Sequence, residues 1–167
     1  MQDFYSSLPI RVLFVCLGNI CRSPAAEIIF TAAARQAGIA DRVKIDSCGT
    51  AGYHIGQKPD LRMLAALEET GYTYGGHRAR QFRRADFTDF DLIIPQDESN
   101  RSDILALARN AADAAKVIPM SRWFPQGESL TEVPDPYYGG REGFLRVIEL
   151  LAAASALLAA DLKARME

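Results

Sequence analysis

Residues 11–16, Arg-Val-Leu-Phe-Val-Cys, form a short and nearly continuous apolar run, and a helical pattern rich in Ala, Ile and Glu opens eight residues later at Pro24. A strand without polar alternation is buried on both faces, which is the signature of a parallel sheet covered by helices. Similar segments recur down the chain. Val43–Ser47, Phe90–Ile94 and Lys116–Ile118 read as strands, and Pro24–Gln36, Pro59–Thr70, Asp97–Asn110 and Arg141 to about Arg165 read as helices. Gly38 and Gly71 supply helix stops, and Asp60 with Pro59 a helix start. In the last helix Phe144, Leu145, Ile148, Leu151, Ser155, Leu158 and Leu162 recur at helical spacing. Alternating strands and helices predict an α/β fold: one three-layer domain over 1–167, with a four-stranded parallel sheet and helices on both faces. Gly71–Phe87 has no clear period, and the Pro- and Gly-rich stretch Ser121–Gly140 reads as a long functional loop.

Composition narrows the function. The net charge of −2 argues against a nucleic-acid binder, whose affinity comes from clustered Lys and Arg. The start lacks the charged and apolar regions of a signal peptide, and the apolar run Leu150–Ala160 is shorter than the roughly 20 residues of a membrane span, so a cytoplasmic protein is expected. Three cysteines, Cys16, Cys21 and Cys48, do not form a disulfide framework. His54 and His77 stand in separate segments outside any zinc spacing, so no metal and no cofactor is expected.

The segment Cys16-Leu-Gly-Asn-Ile-Cys-Arg-Ser-Pro24 lies where ligands bind in open α/β sheets, between the carboxyl end of a strand and the start of a helix. Unpaired N–H groups and the helix dipole make that place an anion site. Gly18 allows the turn, and Pro24 suits the first helical turn. Cys16 at the floor of such a cradle reads either as a buried core thiol or as a nucleophile whose thiolate is favoured by the N–H groups and by Arg22. Arg22 can hold two phosphoryl oxygens through its planar fork, and Ser23 can donate to the sulfur.

The full string C-L-G-N-I-C-R-S-P after an apolar strand resembles the low-molecular-weight protein tyrosine phosphatase family. The resemblance continues through Ser47-Cys-Gly-Thr50, Tyr53-His-Ile-Gly56, Asp60-Leu-Arg62, His77-Arg-Ala-Arg-Gln81, Asp97-Glu-Ser-Asn100 and Val133-Pro-Asp-Pro-Tyr-Tyr-Gly139. It implies a cysteine-dependent phosphatase acting on phosphotyrosine and small aryl phosphates through a phospho-cysteine. Cys16 is then the nucleophile, Arg22 the phosphate clamp and Asp135 the general acid and base. From the residues alone, Asp135 between two prolines also reads as a plain turn residue; the resemblance to D-P-Y-Y-G implies the acid.

The resemblance further implies a frame of Asn19, Ser23, Ser47 and His77, with Asn19 in a strained conformation. His77 alone would equally read as an exposed loop histidine. Asp97 either supports the loop or caps a helix. Leu17 and Ile20 project from the loop, Tyr53 and Tyr138 are expected to wall a slot deep enough for a phenyl ring, and Tyr137 turns to solvent. Backbone groups of Leu17, Gly18, Asn19, Ile20 and Cys21, with Ser23, complete the expected substrate contacts. Cys21 reads either as a partner for a reversible disulfide with Cys16 or as inert packing, and Cys48 as a buried thiol. Two departures stand out: Tyr53 where many members carry Trp, and Pro95-Gln96 where Ala-Met-like pairs are usual.

Other readings stay distinct. A thiol-dependent arsenate reductase shares the loop but needs redox cysteines downstream, and none follows Cys48. A phosphate- or phosphotyrosine-binding module would more commonly lack one of the three catalytic groups, whereas a redox sensor working through Cys16 and Cys21 could coexist with catalysis. The expected partner is a phosphotyrosine-containing protein, such as a bacterial tyrosine kinase or its target.

Overall fold

A computed structural model describes residues 8–167; most of the amino-terminal stretch read above for a leader lies outside the described residues. The central strand is β1 (Ile10–Cys16). It pairs in parallel with β2 (Val43–Gly49) from Ile10↔Val43 to Cys16↔Gly49, and with β3 (Leu92–Pro95) from Val12↔Leu92 to Val15↔Pro95. The strand order is β2-β1-β3.

Side chains alternate across a strand, so the apolar run of β1 feeds two cores. Ile10, Val12 and Phe14 pack with α1 (Arg22–Gln36), α2 (Leu61–Glu69) and α6 (Arg141–Met166). Leu13 and Val15 pack on the other face with Phe82, Phe87, Phe90, Ile104 and Val117. Phe87 comes from α3 (Asp86–Asp89) and Ile104 from α4 (Glu98–Leu105). The result is the expected α/β layering, with helices on both faces of a parallel sheet.

The sheet has three strands rather than four. The expected fourth, Lys116–Ile118, is reduced to one bridge between Ile93 and Val117. Its two hydrogen bonds run from Ile93 N to Lys116 O and from Ile118 N to Ile93 O. Lys116 is still closing α5 (Ala111–Ala115), and Pro119 has no N–H to extend the ladder. The helix expected over Asp97–Asn110 stops at Leu105, because Asn110 caps α5 instead, accepting from Asp113 N. α1 begins at Arg22, two residues before the expected Pro24, and α2 begins after its cap Asp60.

The unassigned stretch after Gly71 runs alongside β2, with a parallel bridge at Gly49↔Gln81, before α3. α6 is longer than its apolar centre, and an 18-residue window within it has mean hydropathy 1.8, so length and composition would let it cross a membrane. The apolar run Leu150–Ala160 understated this. The apolarity serves the core here: Phe144, Val147, Leu151, Ala154 and Leu158 are buried in the cluster that includes α1 and α2.

Candidate active site

β1 ends at Cys16, and the chain must turn sharply to enter α1 six residues later. Asn19 makes the turn at φ 58, a left-handed conformation that Asn adopts more readily than most residues. The side chain is buried and fully used. Its Nδ2 donates to Ser23 Oγ at 2.8 Å and to Ser47 Oγ at 3.0 Å. Its Oδ1 accepts from His77 Nε2 at 2.8 Å and from the Arg80 N–H at 3.1 Å. The loop is therefore pinned to α1, β2 and the 77–81 segment through one side chain. Asn19, Ser23, Ser47 and His77 are thus brought together in one hydrogen-bonded group.

Behind this frame lies an ionic layer that the sequence reading did not assign. Ser47 Oγ donates to Glu27 at 2.8 Å. His77 Nδ1 faces Glu27 and Asp46 at 3.5 and 3.4 Å. Arg80 bridges Asp46 and the fully buried Asp86. Burial acts against the Asp46 carboxylate, but His77, the Ser47 N–H and Arg80 outweigh it and lower its pKa. Burial raises the pKa of Glu27. Glu27, Asp46 and His77 also stand close enough together to serve as metal ligands. Their contacts to Ser47, Arg80 and Asn19 make them a support for the loop. Nothing in the local sequence marks Glu27 or Asp46, which lie on α1 and β2 at ordinary spacing.

Cys16 is buried at the base of a cleft of about 200 Å³, with Sγ 3.0 Å from Ser23 Oγ. Ser23 Oγ also donates to the Cys48 carbonyl at 3.2 Å. Among the described residues no side chain caps the start of α1. The unpaired N–H groups of that first turn are thus available to an anion.

Arg22 is the buried cation of the cleft. Its Nη1 donates to Asp97 at 2.5 Å and to the Val133 carbonyl at 3.1 Å, while Nη2 lies 3.6 Å from Asp135. Burial works against the Arg22 charge, yet a Cys16 thiolate and Asp97 more than offset it, so its pKa is raised. Asp97 holds Arg22 and also caps α4 in a box with Asn100, so both roles read from sequence are filled by one carboxylate. Asp135 is partly exposed, and its Oδ1 accepts from the Tyr137 N–H at 3.0 Å.

The cleft is lined by Leu17, Gly18, Ile20, Cys21, Tyr53, His54, Tyr137 and Tyr138 besides the three charged or nucleophilic groups. Tyr53 and Tyr138 are 74% and 94% exposed, so they form an open rim rather than packed walls. Tyr137 does not turn to solvent as expected. It is partly buried against the core, beneath the Arg62 guanidinium at 5.3 Å. Arg62 pairs with Asp60, whose N–H donates to the Ile20 carbonyl of the loop.

His54 also lines the cleft, with Nδ1 2.9 Å from Gln57 Oε1, and a Cβ on Gly18 would come within 2.9 Å of its ring. The sequence signal was its place in Tyr53-His-Ile-Gly56. Cys21 is buried below the cleft, and burial with the nearby Asp60 charge raises its pKa far above that of an ordinary thiol. Cys48 is a buried thiol, also raised by burial.

Residues 11–167 match the family described as Low molecular weight phosphotyrosine protein phosphatase. A putative low molecular weight protein-tyrosine-phosphatase of Synechocystis is 48% identical over 144 residues, covering 86% of this chain and 90% of that protein. The low molecular weight phosphotyrosine protein phosphatase of Homo sapiens is 39% identical over 139 residues, covering 83% and 86%. The crystal structure of a protein tyrosine phosphatase from Entamoeba histolytica, with Hepes in its active site, superposes with a TM-score of 0.88 at 37% identity, over 93% of this chain and 97% of that one.

Proposed function

The chain belongs to the low molecular weight phosphotyrosine protein phosphatase family, and from that premise we propose that it hydrolyses phosphotyrosine in proteins through a phospho-cysteine on Cys16. The observation that carries the reading is the convergence on one cleft of a buried Cys16 sulfur, a buried Arg22 and Asp135. We further read the chain as a single catalytic domain acting in the cytoplasm. Its substrate would be a phosphotyrosine protein such as a bacterial tyrosine kinase or its target.

The phosphoryl group is held by Arg22 and the N–H groups of the loop. The Cys16 thiolate attacks phosphorus, the S–P bond forms, and the bond from phosphorus to the tyrosine oxygen breaks. Asp135 gives its proton to that oxygen, so tyrosine leaves neutral. Asp135 as carboxylate then takes a proton from water. The water oxygen attacks phosphorus, the S–P bond breaks, and phosphate leaves. Ser23 at 3.0 Å stabilises the departing thiolate. Asp97 and the Val133 carbonyl fix the Arg22 fork, which has to present its remaining N–H groups in one plane.

The test is p-nitrophenyl phosphate turnover in the presence of chelator. Cys16→Ser is expected to lower it by at least about a thousandfold. Asp135→Asn is expected to lower turnover about a hundredfold for phenyl phosphate, and less for p-nitrophenyl phosphate, whose leaving group needs less proton donation. Chelator-sensitive turnover that survives in Cys16→Ser would refute the mechanism.

A further inference from the structure

The loop that carries Asp135 borders two recesses. Asp135, Tyr137 and Tyr138 face the Cys16 cleft, whereas the next two residues, Gly139 and Gly140, line a separate hollow of about 250 Å³. The buried Ala66 and Phe144 lie at its floor, and the exposed Ala65 lies beside them on α2. The charges at its edge are paired with one another: Arg62 holds Asp60, and Arg141 holds Glu69. An apolar hollow ringed by satisfied ion pairs favours a neutral side chain, because a charged one would lose water without gaining a free partner.

The two recesses share a partition. The Arg62 guanidinium lies 5.3 Å from the Tyr137 ring centre on the cleft side and 4.8 Å from the Phe144 ring centre on the hollow side. Ring to ring this is at most roughly 10 Å, the reach of about three residues of extended chain. Gly139 and Gly140 place no side chain along the path, and a Cβ on Gly140 would meet nothing within 4 Å among the described residues.

We propose that this hollow is a substrate subsite that takes an apolar side chain, leucine- or phenylalanine-sized, about three residues from the phosphotyrosine. The inference rests on the phosphotyrosine-protein reading above and adds a sequence preference to it. The cleft recognises the phosphate and ring, and the hollow selects which phosphotyrosine segments are turned over fast.

The test is a set of phosphotyrosine peptides of one parent sequence, with Leu, Ala or Asp placed singly at each position within four residues of the phosphotyrosine. Values of kcat/KM are divided by that of the same enzyme preparation for p-nitrophenyl phosphate. Leu at one position near three residues away is expected to exceed Ala and Asp about tenfold, the scale on which an apolar pocket discriminates side chains. In Ala65→Glu, a helix-compatible change on the exposed face of α2, that advantage is expected to vanish. A flat profile, or a Leu preference that persists in Ala65→Glu, overturns the subsite. A dimer in light scattering that dissociates in Ala65→Glu also overturns it, by assigning the hollow to a second copy of the chain. If p-nitrophenyl phosphate is turned over but no phosphopeptide is, the protein-substrate reading itself has failed; if peptides are turned over without preference, only the subsite has.

Discussion

Gly49 ends β2 directly beneath the loop that begins at Cys16, and it leaves no room for a methyl group. A Cβ there would lie 2.6 Å from the Leu17 carbonyl oxygen, about 0.8 Å short of the 3.4 Å at which ordinary contact begins, and 3.1 Å from both Asn19 N and Gly18 C. β2 cannot retreat from the clash. Gly49 N donates to Arg80 O at 2.9 Å, Phe82 N donates to Gly49 O at 2.7 Å, and Thr50 N binds Cys16 O at 2.8 Å. Gly49→Ala must therefore move the loop that follows Cys16. Overpacking of this kind costs about 1–3 kcal/mol of stability. Misplacing a reacting group by up to about 1 Å costs as much as about a hundredfold in rate, so kcat/KM for p-nitrophenyl phosphate is expected to fall roughly 10- to 100-fold. Urea unfolding and steady-state kinetics measure the two effects separately. Gly38→Ala is the control. Its φ of +78 makes alanine strained, yet among the described residues nothing lies within 4 Å of the added atom. It is expected to lose about 1 kcal/mol with kcat/KM intact. A Gly49→Ala enzyme that loses stability but keeps kcat/KM within twofold would show that β2 gives way instead of the loop, and would refute the argument.

Three further outcomes follow from the same contacts. Asn19→Ala loses four hydrogen bonds and keeps a strained φ, whereas Asn19→Gly loses the bonds but not the backbone fit; both are expected to lower kcat/KM at least tenfold, with Gly the more stable by about 1 kcal/mol in denaturant melts. Gln96→Met removes a buried amide whose Oε1 has no partner among the described residues and whose Nε2 donates to the Ile94 carbonyl at 3.2 Å, while the backbone contacts of residue 96 to Val15 and Val133 remain; stability is expected to stay within about 1 kcal/mol of wild type or rise, with turnover unchanged, and a large loss of either would contradict this. The Asp60 pKa is lowered chiefly by the Arg62 hydrogen bond. A lowered carboxyl stabilises the fold above its unfolded value of 3.8 and loses that contribution as pH falls through the folded value. Asp60→Asn keeps an oxygen for the α2 cap, so its deficit of about 1 kcal/mol should be full near pH 6 and close as pH drops below 3.8, read as the melting-temperature difference between the two proteins.

What the sequence made legible were features written locally. The apolar run of β1 announces a two-faced strand without reference to any other segment. The spacing from Cys16 to Arg22 places a sulfur and a guanidinium across one tight loop. The resemblance then supplied the frame of Asn19, Ser23, Ser47 and His77, because those residues fall inside recognisable strings. The illegible parts depend on contacts between distant segments. Glu27, Asp46 and Arg80 form the layer behind the loop only because α1, β2 and the 77–81 segment meet there. Gly49 carries no message until Leu17 is placed above it. The fourth strand is shorter than expected because a three-residue segment with two apolar positions says nothing about how many will pair, and that number is set by the end of α5 on one side and Pro119 on the other.

Tyr137 shows why a rim is harder to read than a loop. Two adjacent tyrosines in a Pro- and Gly-rich stretch carry no periodicity, so nothing in the string tells which one packs inward. The choice is made from outside, by Arg62. Asp60 anchors that guanidinium, which lies against both the Tyr137 and Phe144 rings, and Tyr138 is left at the mouth, 94% exposed. The same Asp60 binds the Ile20 carbonyl through its N–H, so the phosphate loop, α2 and the Asp135 loop are coupled through one ion pair. Arg22 couples the opposite side, since it holds Asp97 at the end of β3 and the Val133 carbonyl two residues before Asp135. Two arginines thus fix the loop that carries Asp135 at both of its ends while the Asp135 side chain stays 40% exposed. On the mechanism and subsite proposed above, a loop clamped in this way would present the Asp135 proton at a defined place and still admit a protein segment over Gly139 and Gly140.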